Sequence, residues 1–314
     1  MHPSQKKVDK IKGQEDAKKG GGVVEKTKSL KENSHSSFLQ SSSTNPQGDL
    51  NSIMKKSQTR VRKTLEGKPE FVMSLDETQN ALEKFAKYKA TFVVLHVDLV
   101  GSTRLAMRLP LDRLTMIIQT FNQEMSVAVK AFGGYILKYV GDAVIAFFVV
   151  AGRKSEAKVS ACMNAVNCAK YMLQIAHEAM NPILNRYDYP EINLRIGVDY
   201  GENAIIQSGW DIRPKIPSSR KNNKNTIITI HNKKQQQYLL VKKPVYDVLS
   251  YTLSIAVKMT ALANHNHLVI GDPVYNRLDG KQRSAFQRLD ITPDMWNYVC
   301  QNSEGNIYSL YTDV

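Results

Sequence analysis

The sequence predicts an α/β (α+β) layer with element order β-α-β-β-α-β, and three observations carry that reading. Two short apolar, β-branched runs end in an aspartate with glycine beside it: Thr91-Phe-Val-Val-Leu-His-Val-Asp-Leu-Val-Gly-Ser-Thr103, and Gly133 to Phe148 with Gly141-Asp142 at its centre. Leu111, Leu114, Ile117, Ile118, Phe121, Met125 and Val129 recur at three- and four-residue spacing, the period of one helix face. A second helical pattern over about 156–180 separates those strands from Ile192–Tyr200, completing a ferredoxin-like order.

Each element has local signals. Order is expected to start near Phe71, with Ser74 and Glu77 forming a capping box for a helix over about 75–88. The run 91–97 reads as a buried strand. Gly133-Gly134 ends the first long helix, because glycine tolerates the left-handed cap. Two strands, about 134–139 and 143–149, turn at Val140-Gly141-Asp142. Ser155 is expected to cap the second long helix, with Pro182 just beyond its end. Residues 209–243 are polar around two β-branched runs, Thr226–Ile230 and Tyr238–Val241, and read as a hairpin-like insertion. A helix over about 248–263, a strand at 267–270, a short helix from Asp272 and a closing strand over Asn306–Thr312 follow.

Composition bounds the organisation. The chain has 314 residues, 42% of them hydrophobic, and a formal net charge of +14. Residues 1–68 hold 15 Lys and Arg against 7 Asp and Glu, so more than half of the net charge sits there. This stretch is poor in large apolar residues and reads as a disordered basic tail; residues 69–314 form the second, folded unit. The tail suits weak contact with an acidic surface, while the milder charge of the folded part argues against specific nucleic-acid binding. The three cysteines, Cys162, Cys168 and Cys300, form no paired spacing, which points to a reducing, cytoplasmic setting. No apolar run reaches the roughly 18 residues needed to span a bilayer, and the N-terminus has no secretory h-region. There is no P-loop, dinucleotide-binding glycine fingerprint, His-Glu-x-x-His or zinc spacing.

Two carboxylates at strand ends point to hard divalent cations and to chemistry at phosphorus. Over roughly residues 90–290 the chain resembles a class III nucleotidyl cyclase, the adenylate/guanylate cyclase catalytic domain. The resemblance implies two Mg²⁺ or Mn²⁺ ions per site, held by Asp98, Asp142 and the backbone carbonyl of Leu99. It also implies a head-to-tail homodimer with sites across its interface. Lys138, four residues before Asp142, and Asp247, in Val245-Tyr-Asp-Val-Leu-Ser250, fall where adenylate cyclases of this family read adenine. The implied reaction is ATP to 3′,5′-cyclic AMP and pyrophosphate. The chain departs from the family pattern at four places. Ser254 stands where the family has the asparagine that orients the ribose, and Lys258 where it has the arginine of the transition state. Lysine keeps the charge but loses the bidentate fork. Ser250 replaces a usual glycine. The stretch Tyr298–Asn306 lacks the usual triphosphate lysine, a role open to Lys242 or Lys243. Two further readings stay open: a nucleotide-binding regulatory module with little turnover, and a half-enzyme that needs a different partner chain.

Overall fold

The computed structural model describes residues 46–69, 75–86, 88–152, 154–215, 226–231, 237–299 and 307–314. The strands β1 (Lys89–Leu99), β2 (Tyr135–Val140), β3 (Ala143–Val149) and β4 (Leu194–Lys215) lie in the order β2-β3-β1-β4. All three of these pairings are antiparallel, and this is the ferredoxin-like order that the sequence predicts. The sheet continues through β7 (His267–Gly271), parallel to β4, then β9 (Leu310–Asp313) and β8 (Phe286–Arg288).

Period-two alternation divides β1 between two cores. Val93, Leu95, Val97 and Leu99 pack under the helices α4 (Leu111–Ala131) and α5 (Ser155–Ile175), while Ala90, Phe92 and Val94 join a core on the opposite side. His96 and Asp98 continue that second side. Within α5, Cys162 and Cys168 are fully buried core residues, and burial pushes the Cys162 thiol up to about 12. Neither is a reactive nucleophile.

Several boundaries differ from expectation, each for a physical reason. α5 has Lys154 at its N-cap and no side-chain cap bond, so Ser155 is its first residue rather than its cap. Pro182 does not stop the helical run. A π-helical turn, Ala176–Met180, precedes α6 (Asn181–Arg186), which holds Pro182 in its first turn. There the missing N–H costs little, and the wider turn relieves the clash of the ring with the preceding carbonyl. The insertion does form a hairpin-like arm, but it is rooted in long strands: β4 runs on to Lys215 against β6 (Gln237–Leu249), and β5 (Thr226–His231) pairs with β6. The helix expected from 248 is α7 (Tyr251–Thr260), leaving Asp247 and Val248 on β6. Ser250 caps it from the extended region (φ −164°), its hydroxyl accepting from Leu253 N at 2.9 Å. That backbone needs no glycine. The helix expected over 75–88 is the shorter α2 (Leu75–Glu83); its cap at Ser74 lies outside the described residues, as do residues 300–306.

The expectation of a disordered tail over 1–68 is corrected for its C-terminal part. Pro46–Leu65 form a helix, α1; residues 1–45 lie outside the described set. Met54, Ser57, Val61 and Thr64 recur at helical spacing and are buried. The interface is largely polar, which is why counting apolar residues misses it. Ser57 Oγ donates to Glu124 Oε2 at 2.6 Å, and Arg60 grips the same carboxylate through Nε (2.9 Å) and one terminal nitrogen (2.7 Å). Thr64 donates to Gln123. Among the described residues no helix is long and apolar enough to cross a membrane.

Candidate active site

Asp98 is the penultimate residue of β1, opposite Ala143 on β3 and Arg195 on β4. Asp142 sits in the β2–β3 turn, where Gly141 takes φ +61°, a conformation that favours glycine. The Leu99 amide donates to the Asp142 carbonyl at 3.3 Å, tying the strand end to the turn. The charges of the two carboxyl groups interact. Burial pushes the Asp98 carboxyl above its ordinary range; the hydrogen bond from Arg195 opposes that shift, and the charge of Asp142 adds to it. Two like charges held side by side need a counter-charge.

Arg195 supplies part of it. Its guanidinium donates to Asp98 Oδ2 at 2.9 Å, and its Nε is buried with no hydrogen-bond partner among the described residues. Sequence reasoning missed Arg195; the only signal was a lone cation in an apolar strand, Ile192 to Val198. The donor set of two carboxylates and a nearby backbone carbonyl is hard and anionic, and so fits Mg²⁺ or Mn²⁺.

The second pair also meets. Lys138 Nζ lies 2.6 Å from Asp247 Oδ2, bringing β2 and β6 together although 109 residues separate them. Val248 N donates to the other Asp247 oxygen at 2.8 Å, which fixes the carboxylate plane. Both side chains are about one-third exposed and line a cavity of about 680 Å³ together with Leu137, Tyr139, Trp210 and Tyr246. Gln79 of α2 clamps this wall, donating to the Tyr246 carbonyl (3.0 Å) and accepting from its amide (2.7 Å).

Ser254 and Lys258 lie one turn apart on the exposed face of α7, and Ser254 Oγ donates to the Ser250 carbonyl at 3.2 Å. The opposite face of α7 is docked closely. His96 Nδ1 and Thr260 Oγ1 are 3.0 Å apart, and burial lowers the His96 pKa to about 4, so the imidazole is neutral. A side chain at Gly197 would overlap the Ala256 carbonyl, and one at Gly201 would overlap Thr252. β1 therefore carries Asp98 to the site and also seats the helix that bears Ser254 and Lys258. Of the two lysines considered for the triphosphate, Lys243 lines the cavity and donates to Asn80 Oδ1 at 2.9 Å, while Lys242 stands 4.1 Å over the Trp210 ring.

A family model described as the adenylate and guanylate cyclase catalytic domain matches residues 86–215. A cytidylate cyclase from Escherichia coli is 34% identical over 128 residues, covering 40% of this chain and 28% of that protein. A cytidylate cyclase from Staphylococcus aureus is 30% identical over 112 residues, covering 36% and 26%. The chain thus spans little more than a quarter of the length of these curated relatives. Among solved structures, the guanylate cyclase domain of RhGC from Catenaria anguillulae in complex with GTP overlaps 72% of this chain and 97% of that one, with a TM-score of 0.47 and 16% identity. The matched segment contains Asp98, Lys138, Asp142 and Arg195, and over it the chain is similar to the adenylate and guanylate cyclase catalytic domain.

Proposed function

We propose that the chain cyclises a nucleoside triphosphate whose base presents an amine beside an unprotonated ring nitrogen, releasing a 3′,5′-cyclic nucleotide and pyrophosphate. The observation that carries this reading is the Lys138–Asp247 pair at 2.6 Å on the wall of a cavity. Lysine can only donate and an ionised aspartate can only accept. Inserted between them, adenine offers N1 and its 6-amine, and cytosine offers N3 and its 4-amine. Guanine and uracil present the reverse pattern, N–H beside carbonyl, and leave both side chains unmatched.

ATP is the substrate that the residue pattern names. CTP is a second reading, favoured by the identity to two proteins named cytidylate cyclase. Asp247, Ser254 and Lys258 lie beyond the matched segment, so their roles are part of the proposal. Asp98, Asp142 and the Leu99 carbonyl would hold two divalent ions, which acidify the ribose 3′-hydroxyl and neutralise the leaving pyrophosphate. Arg195 holds Asp98 in place through its guanidinium and offsets the charge of the paired carboxylates. Lys258 offsets charge on the α-phosphate, and Ser254 orients the ribose with one hydroxyl.

The reading includes head-to-tail pairing of two copies in the cytoplasm. Tyr139 and Val140, next to Asp142, are exposed apolar residues suited to such a contact. The test is an equimolar mixture of ATP, CTP, GTP and UTP with Mn²⁺, analysed for cyclic products. Cyclic AMP or cyclic CMP, lost in Lys138→Ala and Asp247→Ala, is expected; cyclic GMP or cyclic UMP as the main product would overturn the base assignment. Binding without turnover, converted to turnover by Ser254→Asn with Lys258→Arg, would instead support the regulatory-module reading.

A further inference from the structure

We propose that Trp210 is the stacking surface of the base cavity and sets how tightly a nucleotide is held, whichever amino base it carries. The proposal rests on the assignment of that cavity to the base. Three observations lead to it. Trp210 lines the cavity that Lys138 and Asp247 border. It is 49% exposed, unusual for the largest apolar side chain when a partly open cavity lies beside it. Lys242, which does not line the cavity, stands 4.1 Å over the ring and so helps to hold it in place.

The backbone explains how the ring reaches this place. Trp210 pairs with Pro244 across the β4–β6 ladder, just past a register shift between Gln207 and Gly209. A bulge of this kind re-aims the following side chains. Asp247 lies three residues further along β6, and Trp210, Pro244 and Asp247 all line the cavity. The clamped Tyr246 and Lys243, bonded to Gln79 and Asn80, hold that strand against α2.

The division of labour follows from the chemistry of each group. Lys138 and Asp247 read one edge of the base and so discriminate between bases. An indole face attracts any base, because every base has a π-face. The ammonium of Lys242, 4.1 Å from the ring centroid, fixes the indole. Trp210 therefore contributes affinity and not selectivity.

The probes are 3′-deoxy-ATP and 3′-deoxy-CTP, which lack the hydroxyl that cyclises, used with Mn²⁺ on the full chain. The protein has two tryptophans, and Trp296 is 2% exposed, with its N–H bonded to the Tyr308 carbonyl at 2.9 Å. Ligand-dependent emission change is therefore expected from Trp210. Equilibrium dialysis measures affinity independently of fluorescence. The proposal expects quenching in the native chain that is absent in Trp210→Phe. It also expects near-native affinity in Trp210→Phe, and affinity about tenfold weaker or more in Trp210→Ala, for both nucleotides alike. Nucleotide that binds by dialysis without quenching, or with equal affinity to Trp210→Ala, would overturn the stacking role and leave the edge-reading pair intact. No binding of either nucleotide by dialysis would overturn the cavity assignment and this inference with it.

Discussion

Replacing Arg60 by alanine is expected to destabilise the whole folded unit, because it strands a buried charge. Glu124 has no exposed side-chain surface, and Arg60 has 19%. The carboxylate receives three hydrogen bonds, two from Arg60 and one from Ser57. Arg60→Ala removes two of them together with the ion-pair partner of Glu124. Breaking a buried pair from one side typically costs about 3–5 kcal/mol. Water can reach the partly open Arg60 side, so the low end, about 3 kcal/mol, is expected. For a unit of this size that lowers the melting temperature by roughly 6–12 °C. Urea denaturation and thermal melting measure it. The companion is the triple variant Ser57→Ala, Arg60→Met, Glu124→Leu, which removes charge and hydroxyl together. Such apolar replacements are often neutral or stabilising, so most of the lost stability should return. A loss below about 0.5 kcal/mol in Arg60→Ala, typical of a surface substitution, would refute the argument that α1 is joined to the fold through Glu124. So would a triple variant as unstable as the single one.

Gly197→Ala should cost stability and turnover together: its Cβ would overlap the Ala256 carbonyl and lie 2.5 Å from Thr260 Oγ1, lifting α7 off the sheet. Overpacking of this kind costs about 1–3 kcal/mol, and kcat should fall more than KM rises, since Ser254 and Lys258 ride on the displaced helix. Asp199 supplies a pH prediction. Burial pushes its carboxyl up to about 7, against the hydrogen bonds from Tyr308 and the Tyr200 backbone. The folded state therefore holds its proton over a window in which the unfolded state has lost it. The stabilising contribution is full below about pH 4, declines as pH rises to about 7, and is flat above, a loss of up to about 4 kcal/mol. Denaturation of the native chain and of Asp199→Asn at pH 4 to 8 checks this: the variant should lack that part of the slope, and equal slopes would contradict it.

Much of the core was legible because its residues obey simple periods. The alternation in β1, the three-and-four spacing of α4 and the glycines at the turns each act locally, and the ferredoxin-like strand order follows from them. The two carboxylates were legible for the same reason, each lying at the end of an apolar strand next to glycine. What escaped was non-local. α1 is held by hydroxyls and one paired charge, so its sequence reads as a polar tail until Glu124 is placed beneath it. The length of the helical run past Pro182 depends on a π-helical turn with no local signature. Arg195 gains meaning only from its register opposite Asp98. Ser250 looked like a departure from a glycine pattern, yet its extended backbone and capping hydroxyl make serine the fitting residue.

The measurement that bears most directly on the central claim is cyclic-nucleotide formation by the full chain from ATP and from CTP, in Mn²⁺ and in Mg²⁺, beside Asp98→Ala and Asp142→Ala. The account predicts cyclic AMP or cyclic CMP with pyrophosphate in equal amount, and loss of product in both variants while their melting temperatures stay close to native. Product that persists in both variants would contradict the assignment of these carboxylates to the reaction. No cyclic product from any nucleotide would contradict the claim that the chain alone is a working cyclase.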